Sequence, residues 1–271
     1  MKFADLTPGR GSIAIIGGGG KTGLMERLEA EFHESGRPAL CTVTTRLGRG
    51  QLPHLARAEA QSPAEAANAA RRAAAGDRLI LSGPYANAEK LSGLPLAWLS
   101  PVQAALPENA AFIIEADGSA GRPLKAHAAH EPVLPPQPCP RGAVLRQGHE
   151  ASQTTWPSSS AFAPQPYYLI AVLGLSALTL PWPKAVHRPE ILARHITPPP
   201  ADQSLSPAQI ADFIRRAWAS LHPDFIFLNQ ADLLSNDALP QARDLAARLA
   251  AVGYAVALGS LKEQWWAAVN Q

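Results

Sequence analysis

The stretch whose residue types most clearly indicate a binding site is SIAIIGGGGKTGLMERL, residues 12–28. In it, four glycines lie between an apolar run and an amphipathic one. A glycine-rich turn after a strand leaves backbone N–H groups accessible to an anion, because no Cβ atom obstructs them. The positive end of the following helix dipole adds to this attraction. We therefore predict a phosphate-binding loop here, against the alternative of a flexible glycine turn without a ligand.

The predicted loop offers specific groups to a nucleotide. Its nucleotide-binding residues are Gly17, Gly18, Gly19, Gly20, Lys21 and Thr22. Lys21 is expected to contact the β- and γ-phosphates as a catalytic group, and the Thr22 hydroxyl is expected to bind Mg²⁺. The spacing G-x-x-G-K-T is shorter than the common G-x-x-x-x-G-K-[ST] pattern, because Ile15 stands where that pattern has its first glycine.

An acidic pair, Glu115 and Asp117, follows the apolar run in AFIIEADGSAG. Parallel sheets bind ligands at the carboxyl ends of their strands, so these carboxylates are placed to serve the same nucleotide. Asp117 is the expected Mg²⁺ ligand, and Glu115 is expected to activate water or support the ligands. Thr44 and Thr45, in TVTTR, are expected at the same edge, near the γ-phosphate or the metal. Helix capping and the strand preference of threonine are the alternatives.

A third polar pair, Asn229 and Asp232, lies in DFIFLNQADLL at the spacing of the Asn-Lys-x-Asp motif with which GTPases recognise guanine. A carboxylate at this position can accept two N–H bonds from guanine, which adenine does not offer. Here Gln230 replaces the lysine. Since Asn-x-x-Asp is also a common turn between a strand and a helix, the cofactor is expected to be Mg²⁺ with either ATP or GTP.

The elements that must position these residues are indicated by the hydrophobic pattern. Amphipathic helical patterns separate several of the apolar runs, including one in which Ser206 is the expected N-cap and Pro207 the first helical residue. Strands that alternate with helices predict an α/β fold, with a mostly parallel sheet covered by helices on both faces, of the P-loop nucleotide-binding type. The predicted strands are residues 12–16, 39–44, 78–81, 111–115, 168–173, 224–228 and 254–258.

Proline is concentrated in one region, since 14 of the 26 prolines lie between Pro132 and Pro200. We predict a single domain over residues 1–271, with a Pro-rich loop or insertion around residues 132–166. A lid or partner-binding loop and a tolerated surface insertion are the two interpretations of this segment.

The composition excludes several classes of protein. The net charge is +2 and Lys and Arg form no long run, which argues against nucleic acid or an anionic membrane as the main partner. No window approaches the ~18 apolar residues that a membrane span requires. The two cysteines, Cys41 and Cys139, lack the spacing of a zinc or redox motif. We expect a cytoplasmic protein.

The order of several motifs resembles that in the YqeC-like proteins, which are described as accessory proteins of selenium-dependent molybdenum hydroxylases. The resemblance extends over most of the chain and implies a nucleotide-binding accessory protein whose partners are a molybdenum hydroxylase or its cofactor-maturation proteins. That family usually has lysine where this sequence has Gln230. The motifs are GGGGKTGLM, TVTTR, IIEADGSAGRPLKA, HEPVLP, AVLGLSAL, VHRPEI and LNQADLL.

The family-like segments add cationic candidates. Lys125, together with Arg122, is expected to bind phosphate or an anionic substrate. Arg188, before the expected first helical residue Pro189, is expected to stabilise a transferring phosphate as an arginine finger does. His130, Glu131, His187 and Glu190 lie beside them. For each, the alternative is an ordinary surface charge or helix cap.

Three functions fit these observations. The first is a nucleotide hydrolase that assists maturation of a molybdenum hydroxylase, with slow basal turnover. The second is a kinase- or ligase-type enzyme that uses the nucleotide to activate a small anionic metabolite. The third is a non-catalytic, nucleotide-gated binding protein. We favour the first because of the broad family resemblance.

Overall fold

The computed structural model describes residues 2–7, 11–84, 89–134 and 167–269. The strands in these ranges are β1 (Gly11–Gly17), β2 (Ala39–Val43), β3 (Leu47–Gly48), β4 (Ala56–Glu59), β5 (Leu79–Ser82), β6 (Lys90–Leu91), β7 (Ala111–Glu115), β8 (Leu124–Lys125), β9 (Tyr168–Gly174), β10 (Val186–His187), β11 (Phe225–Asn229), β12 (Val256–Ser260) and β13 (Trp265–Val269). The α-helices are α1 (Lys21–Glu34), α2 (Pro63–Ala74), α3 (Leu96–Ala104), α4 (Trp182–Ala185), α5 (Pro189–His195), α6 (Pro207–Ala217) and α7 (Leu239–Ala251). Short 3₁₀ helices span Phe3–Leu6, Leu175–Leu178 and Ala231–Leu233.

The main sheet is mostly parallel, which confirms the predicted α/β class. Its strand order is β13-β12-β11-β9-β1-β7-β2-β5-β4. Every neighbouring pair is parallel except β12 and β13, which form an antiparallel pair at one edge. Each predicted strand is present, with its ends within two residues of the expected ones.

The position of β1 determines where a ligand can bind. The chain passes from β1 through α1 to β2, and β7 later inserts between these two strands, whereas β9, β11 and β12 extend the sheet on the other side of β1. Ligands of open parallel sheets bind beyond the carboxyl ends of strands where the direction of winding reverses. The carboxyl ends of β1, β7, β9 and β11 therefore frame the candidate site.

Alternate residues of β1 belong to opposite faces of the sheet, as the two-residue period of a strand requires. Ile13 and Ile15 pack in the core that α1 covers, which includes Leu24 and Leu28. Ala14 and Ile16 pack in the core that contains residues of α6 and α7. Helices thus cover both faces, and the end of β1 is held rigidly from two sides.

The predicted start of α6 is also confirmed. The Ser206 side chain accepts a hydrogen bond from Gln209 N, and Pro207 is the first residue of α6. No helix among the described residues has the length and apolar character needed to cross a membrane. The predicted Pro-rich segment lies, apart from residues 132–134, outside the described residues.

Candidate functional site

The glycine loop connects β1 to α1 in a backbone conformation that suits glycine. The φ angles of Gly17, Gly19 and Gly20 are +99°, +76° and +132°. A Cβ atom on Gly19 would lie 2.4 Å from the Cα atom of Gly174, at the end of β9. Both the backbone conformation and the close approach of β9 therefore require glycine at this point.

The backbone N–H groups of this loop are satisfied only at its start. Gly17 N donates to Asp117 Oδ2 at 2.9 Å, and Gly18 N donates to the Val172 carbonyl at 2.8 Å. The next five N–H groups, of residues 19–23, have no hydrogen-bond acceptor within the part of the chain that the structure describes. Consecutive free N–H groups at a helix N-terminus form an anion-binding site.

Lys21 lies beneath this loop and is buried, with only 4% of its side chain exposed. Its Nζ atom donates to the Gly17 carbonyl at 2.8 Å and lies 3.2 Å from Asp117 Oδ1 and 3.7 Å from Glu115 Oε1. A buried ammonium group requires such partners, because its desolvation is costly. The structure thus brings the predicted lysine and the predicted acidic pair together.

Thr22 joins the same cluster, since its hydroxyl donates to Glu115 Oε2 at 2.8 Å. Hydroxyl and carboxylate oxygens are the ligands that Mg²⁺ prefers, and Mg²⁺ commonly takes only one or two carboxylates, with water and phosphate oxygens completing its coordination. Asp117 Oδ1 is buried, and its contact in the described residues is the ion pair with Lys21 Nζ rather than a hydrogen bond. The same residues contain no group of three or more His, Cys, Asp or Glu side chains that could hold a metal alone. The donor set therefore fits Mg²⁺ bound together with a phosphate.

The two carboxylates have different electrostatic surroundings. Burial raises the pKa of Glu115, and the nearby Lys21 charge offsets this only in part. Burial also acts to raise the pKa of Asp117, but the Lys21 charge and the hydrogen bond from His127 outweigh it, so the net shift is downward. Asp117 is therefore the more strongly ionised member of the pair.

His127 is a site residue that the sequence analysis missed. Its Nε2 atom lies 2.6 Å from Asp117 Oδ2, and its side chain is 6% exposed. The centroids of the His127 and Trp218 rings lie 6.0 Å apart. No spacing rule identifies a histidine ten residues after an aspartate, so only its occurrence in the family-like segment could have indicated it.

A second charged cluster lies next to the first. Lys125 is fully buried, and its Nζ donates to the Gly118 carbonyl at 2.5 Å and lies 2.8 Å from Glu131 Oε2. Arg188 also pairs with Glu131. In the short parallel pair of β8 and β10, Lys125 lies opposite His187, which brings the two family-like segments together.

The cations predicted to bind an anion are thus engaged with protein groups. Arg122 donates to the Lys184 carbonyl, while Lys125 and Arg188 share Glu131. Burial lowers the pKa of Lys125, with Glu131 opposing the shift. Arg188 precedes α5 with a φ angle of +67°, and Pro189 begins that helix as predicted. These contacts give the cluster a structural role in joining the segments around β8 and β10.

The two predicted threonines lie at the carboxyl end of β2. Thr44 N donates to the Glu115 carbonyl at 3.0 Å, but the Thr44 hydroxyl donates to the Val133 carbonyl at 2.7 Å. Thr45 is half-buried beside it. Thr44 therefore holds the segment that leads into the Pro-rich region against the acidic strand.

The predicted base-recognition pair, Asn229 and Asp232, lies at the carboxyl end of β11, and Asn229 contacts the glycine loop. Asn229 Nδ2 donates to the Gly19 carbonyl at 2.8 Å, and Asn229 Oδ1 accepts from Leu261 N at 3.0 Å. Asp232 Oδ1 accepts from the Ser260 hydroxyl at 2.6 Å. Ser260 and Leu261 were not predicted, although their place at the carboxyl end of β12 could have indicated them.

Comparison with known proteins gives two matches. Residues 13–139 match the model of a family described as YqeC protein. A protein of Escherichia coli (strain K12), named Uncharacterized protein YqeC, is 35% identical over 134 residues, which cover 49% of this chain and 50% of the relative. The aligned part of the chain thus spans about half the length of this curated relative. No solved structure matches the chain.

Proposed function

We propose that this chain, which is similar to YqeC proteins over residues 13–139, binds a nucleoside triphosphate with Mg²⁺ at the glycine loop and hydrolyses it. The observation that carries the proposal is the run of five backbone N–H groups, residues 19–23, without acceptors in the described chain. The first four N–H groups of any helix lack intrahelical acceptors, and here the run begins one residue earlier, at the buried Gly19. The extra free donor and the buried Lys21 in the same loop support an anionic ligand at this helix start.

In the proposed complex, different residues of the site bind the phosphates and the metal ion. The N–H groups of residues 19–23 bind phosphate oxygens, and Lys21 supplies a positive charge at the start of the loop, where its Nζ contacts the Gly17 carbonyl. The Thr22 hydroxyl and Asp117 would hold Mg²⁺, which neutralises phosphate charge when it is bound. His127 holds Asp117 in place through its 2.6 Å contact.

Glu115 is the residue best suited to assist hydrolysis. Its pKa is raised by burial, which makes its carboxylate a better proton acceptor than an exposed glutamate. We propose that Glu115 accepts the proton of a water molecule as the water oxygen bonds to the γ-phosphorus and the bond to the leaving diphosphate breaks. The hydrogen bond from Thr22 fixes the position of this carboxylate.

The proposed biological role is that of an accessory protein in the maturation of a molybdenum hydroxylase, with the hydroxylase or its cofactor-maturation proteins as partners. This part of the proposal is supported by the resemblance to the YqeC-like proteins. The alternative of a kinase or ligase for a small anion has less support, because Lys125, Arg122 and Arg188 are all engaged within the protein.

Release of inorganic phosphate from Mg-ATP and Mg-GTP tests the hydrolytic proposal. We expect slow turnover of at least one nucleotide by the wild type. Glu115→Gln should lower kcat by about a hundredfold, a typical effect of losing a general base, while changing the dissociation constant by only a few-fold. Glu26→Gln, an exposed glutamate on the same helix as Lys21, is the matched control and should leave kcat unchanged.

Phosphate release at the wild-type rate from Glu115→Gln would contradict the role of Glu115. Absence of turnover of both nucleotides by the wild type, with binding retained, would leave a nucleotide-gated binding protein in place of a hydrolase.

A further inference from the structure

We infer that the base-recognition end of this site selects guanine, with Asp232 as the selecting residue and Ser260 as the residue that positions it. The inference rests on the proposed nucleotide binding and specifies which nucleotides the site takes. It is carried by contacts among the carboxyl ends of β11 and β12 and the glycine loop.

Asn229 fixes the distance between the anion-binding loop and the base-recognition residues. It is the last residue of β11 and is only 5% exposed. Its amide donates to the Gly19 carbonyl and accepts from Leu261 N, so both of its polar atoms are used within the protein. A Cβ atom built on Gly20 would lie 2.3 Å from Asn229 Nδ2, which shows how closely the amide packs on the loop. Asn229 therefore joins the phosphate end to the base end of the site.

One carboxylate oxygen of Asp232 accepts a hydrogen bond within the protein, and the other can accept hydrogen bonds from a ligand. Its Oδ1 atom accepts from the Ser260 hydroxyl at 2.6 Å, and that hydroxyl also accepts from Glu263 N at 3.0 Å. Ser260 is fully buried, whereas Asp232 is half-buried. Asp232 Oδ2 makes no hydrogen bond to any residue that the structure describes. The carboxylate is thus oriented by Ser260 and remains able to accept further hydrogen bonds.

This arrangement distinguishes the two purines by their hydrogen-bonding edges. Guanine presents two adjacent donors, the N1–H group and the N2 amino group, which a carboxylate accepts together. Adenine presents one amino donor beside the N1 lone pair, and that lone pair would face a negatively charged oxygen. Charge-assisted hydrogen bonds are the stronger kind, and leaving a partly buried carboxylate against an acceptor is unfavourable.

Gln230, which lies between the two residues of this motif, does not take part in the selection. Its backbone has a φ angle of +72°, and its Oε1 atom accepts from the Ser176 hydroxyl at 2.8 Å. The same oxygen would lie 2.3 Å from a Cβ atom built on Gly174. The Gln230 side chain therefore packs on the turn after β9, and the selection depends on Asp232.

Equilibrium titration with the Mg²⁺ complexes of GDP, ADP and xanthosine diphosphate tests this inference. The wild type should bind GDP about a hundredfold more tightly than ADP. Asp232→Asn should lose this affinity for GDP and gain affinity for xanthosine diphosphate, because an amide N–H can donate to the carbonyl that xanthine has in place of the guanine amino group. Asp237→Asn, the same change at an exposed aspartate in the following turn, should behave as the wild type.

Ser260→Ala provides a second, independent readout. It should weaken GDP binding by about tenfold, the loss of one hydrogen bond that orients the carboxylate, while leaving ADP binding unchanged. A purely structural link between β11 and β12 would weaken the binding of both nucleotides equally.

The possible failures are distinguishable. Binding of ADP as tight as that of GDP, or an unchanged preference in Asp232→Asn, overturns guanine selection and leaves nucleotide binding intact. Binding of none of the three diphosphates by the folded wild type overturns the inference, and if Mg-ATP and Mg-GTP also fail to bind, the proposed function is overturned with it.

Discussion

At the scale of single residues, two buried lysines illustrate how similar charges take different roles. Lys21 contacts Asp117 and Glu115 directly below a run of free N–H groups, whereas Lys125 contacts Glu131, which also pairs with Arg188. An anion approaching the glycine loop meets the free N–H groups of residues 19–23, while the Lys21 ammonium is itself paired with the two carboxylates. Lys125 is buried at the junction of β8 and β10 in its pair with Glu131, so we expect Lys125 to stabilise the fold.

Lys125→Met tests this assignment, because it keeps much of the side-chain length and removes the charge. We expect the free energy of unfolding to fall by about 3 kcal/mol, since removing one member of a buried ion pair leaves its partner incompletely compensated. Chemical denaturation measures the change, with exposed Lys184→Met as the control. Unchanged stability combined with lost nucleotide turnover would instead assign Lys125 to the reaction.

At the scale of elements, the glycine loop combines a special backbone conformation with close packing. Gly19 and Gly36 have nearly the same φ angle, +76° and +74°. A Cβ atom on Gly36 would have nothing within 4 Å, whereas on Gly19 it would meet Gly174 at 2.4 Å. The two positions therefore separate the cost of the conformation from the cost of the contact.

Gly36→Ala should lower the free energy of unfolding by about 1–2 kcal/mol, the usual cost of a left-handed conformation in a residue with a side chain. Gly19→Ala should cost more than this, because the backbone of β9 must also move. Thermal or chemical unfolding of both variants measures the difference. Equal destabilisation would show that β9 does not press on the loop as described.

The sequence predicts some elements better than others, for a physical reason. Strands such as β7 (AFIIE) and β9 (YLIAVLG) have neighbours on both sides and are almost wholly buried, so they form continuous apolar runs. The edge strands β4 (ARAE) and β13 (WWAAV) are partly exposed, and neither was predicted. β4 has no apolar run, and the apolar run of β13 is only five residues long. Their pairing depends on β5 and β12, which a local pattern cannot show.

In the candidate site, too, a local sequence pattern shows single residues but not the contacts between distant ones. Lys21 and Thr22 were predicted from the glycine-rich motif after β1, and Glu115 and Asp117 from their place at the carboxyl end of β7. The structure places all four in one cluster. The contacts of His127 with Asp117 and of Ser260 with Asp232 arise only when the chain folds, over separations of 10 and 28 residues. Residue type and spacing therefore identified the central groups, and folding adds the residues that orient them.

At the scale of the whole molecule, the parallel sheet assembles one site from segments far apart in the chain. The ends of β1, β7 and β11 supply the glycine loop, the acidic pair and Asn229, and the turn after β12 supplies Leu261. A ligand that contacts all of these segments stabilises the folded state, by an amount that grows with its concentration above Kd.

The central claim is that the glycine loop binds nucleoside triphosphates. Calorimetric titration with Mg-ATP and Mg-GTP tests it most directly, and the proteins to titrate are the wild type, Lys21→Ala and the control Lys184→Ala. Thermal unfolding verifies that each variant is folded. We predict micromolar binding of at least one nucleotide by the wild type and the control, weakened by about 2 kcal/mol, or roughly 30-fold, in Lys21→Ala. No binding by the wild type, or equal binding by Lys21→Ala, would contradict the account.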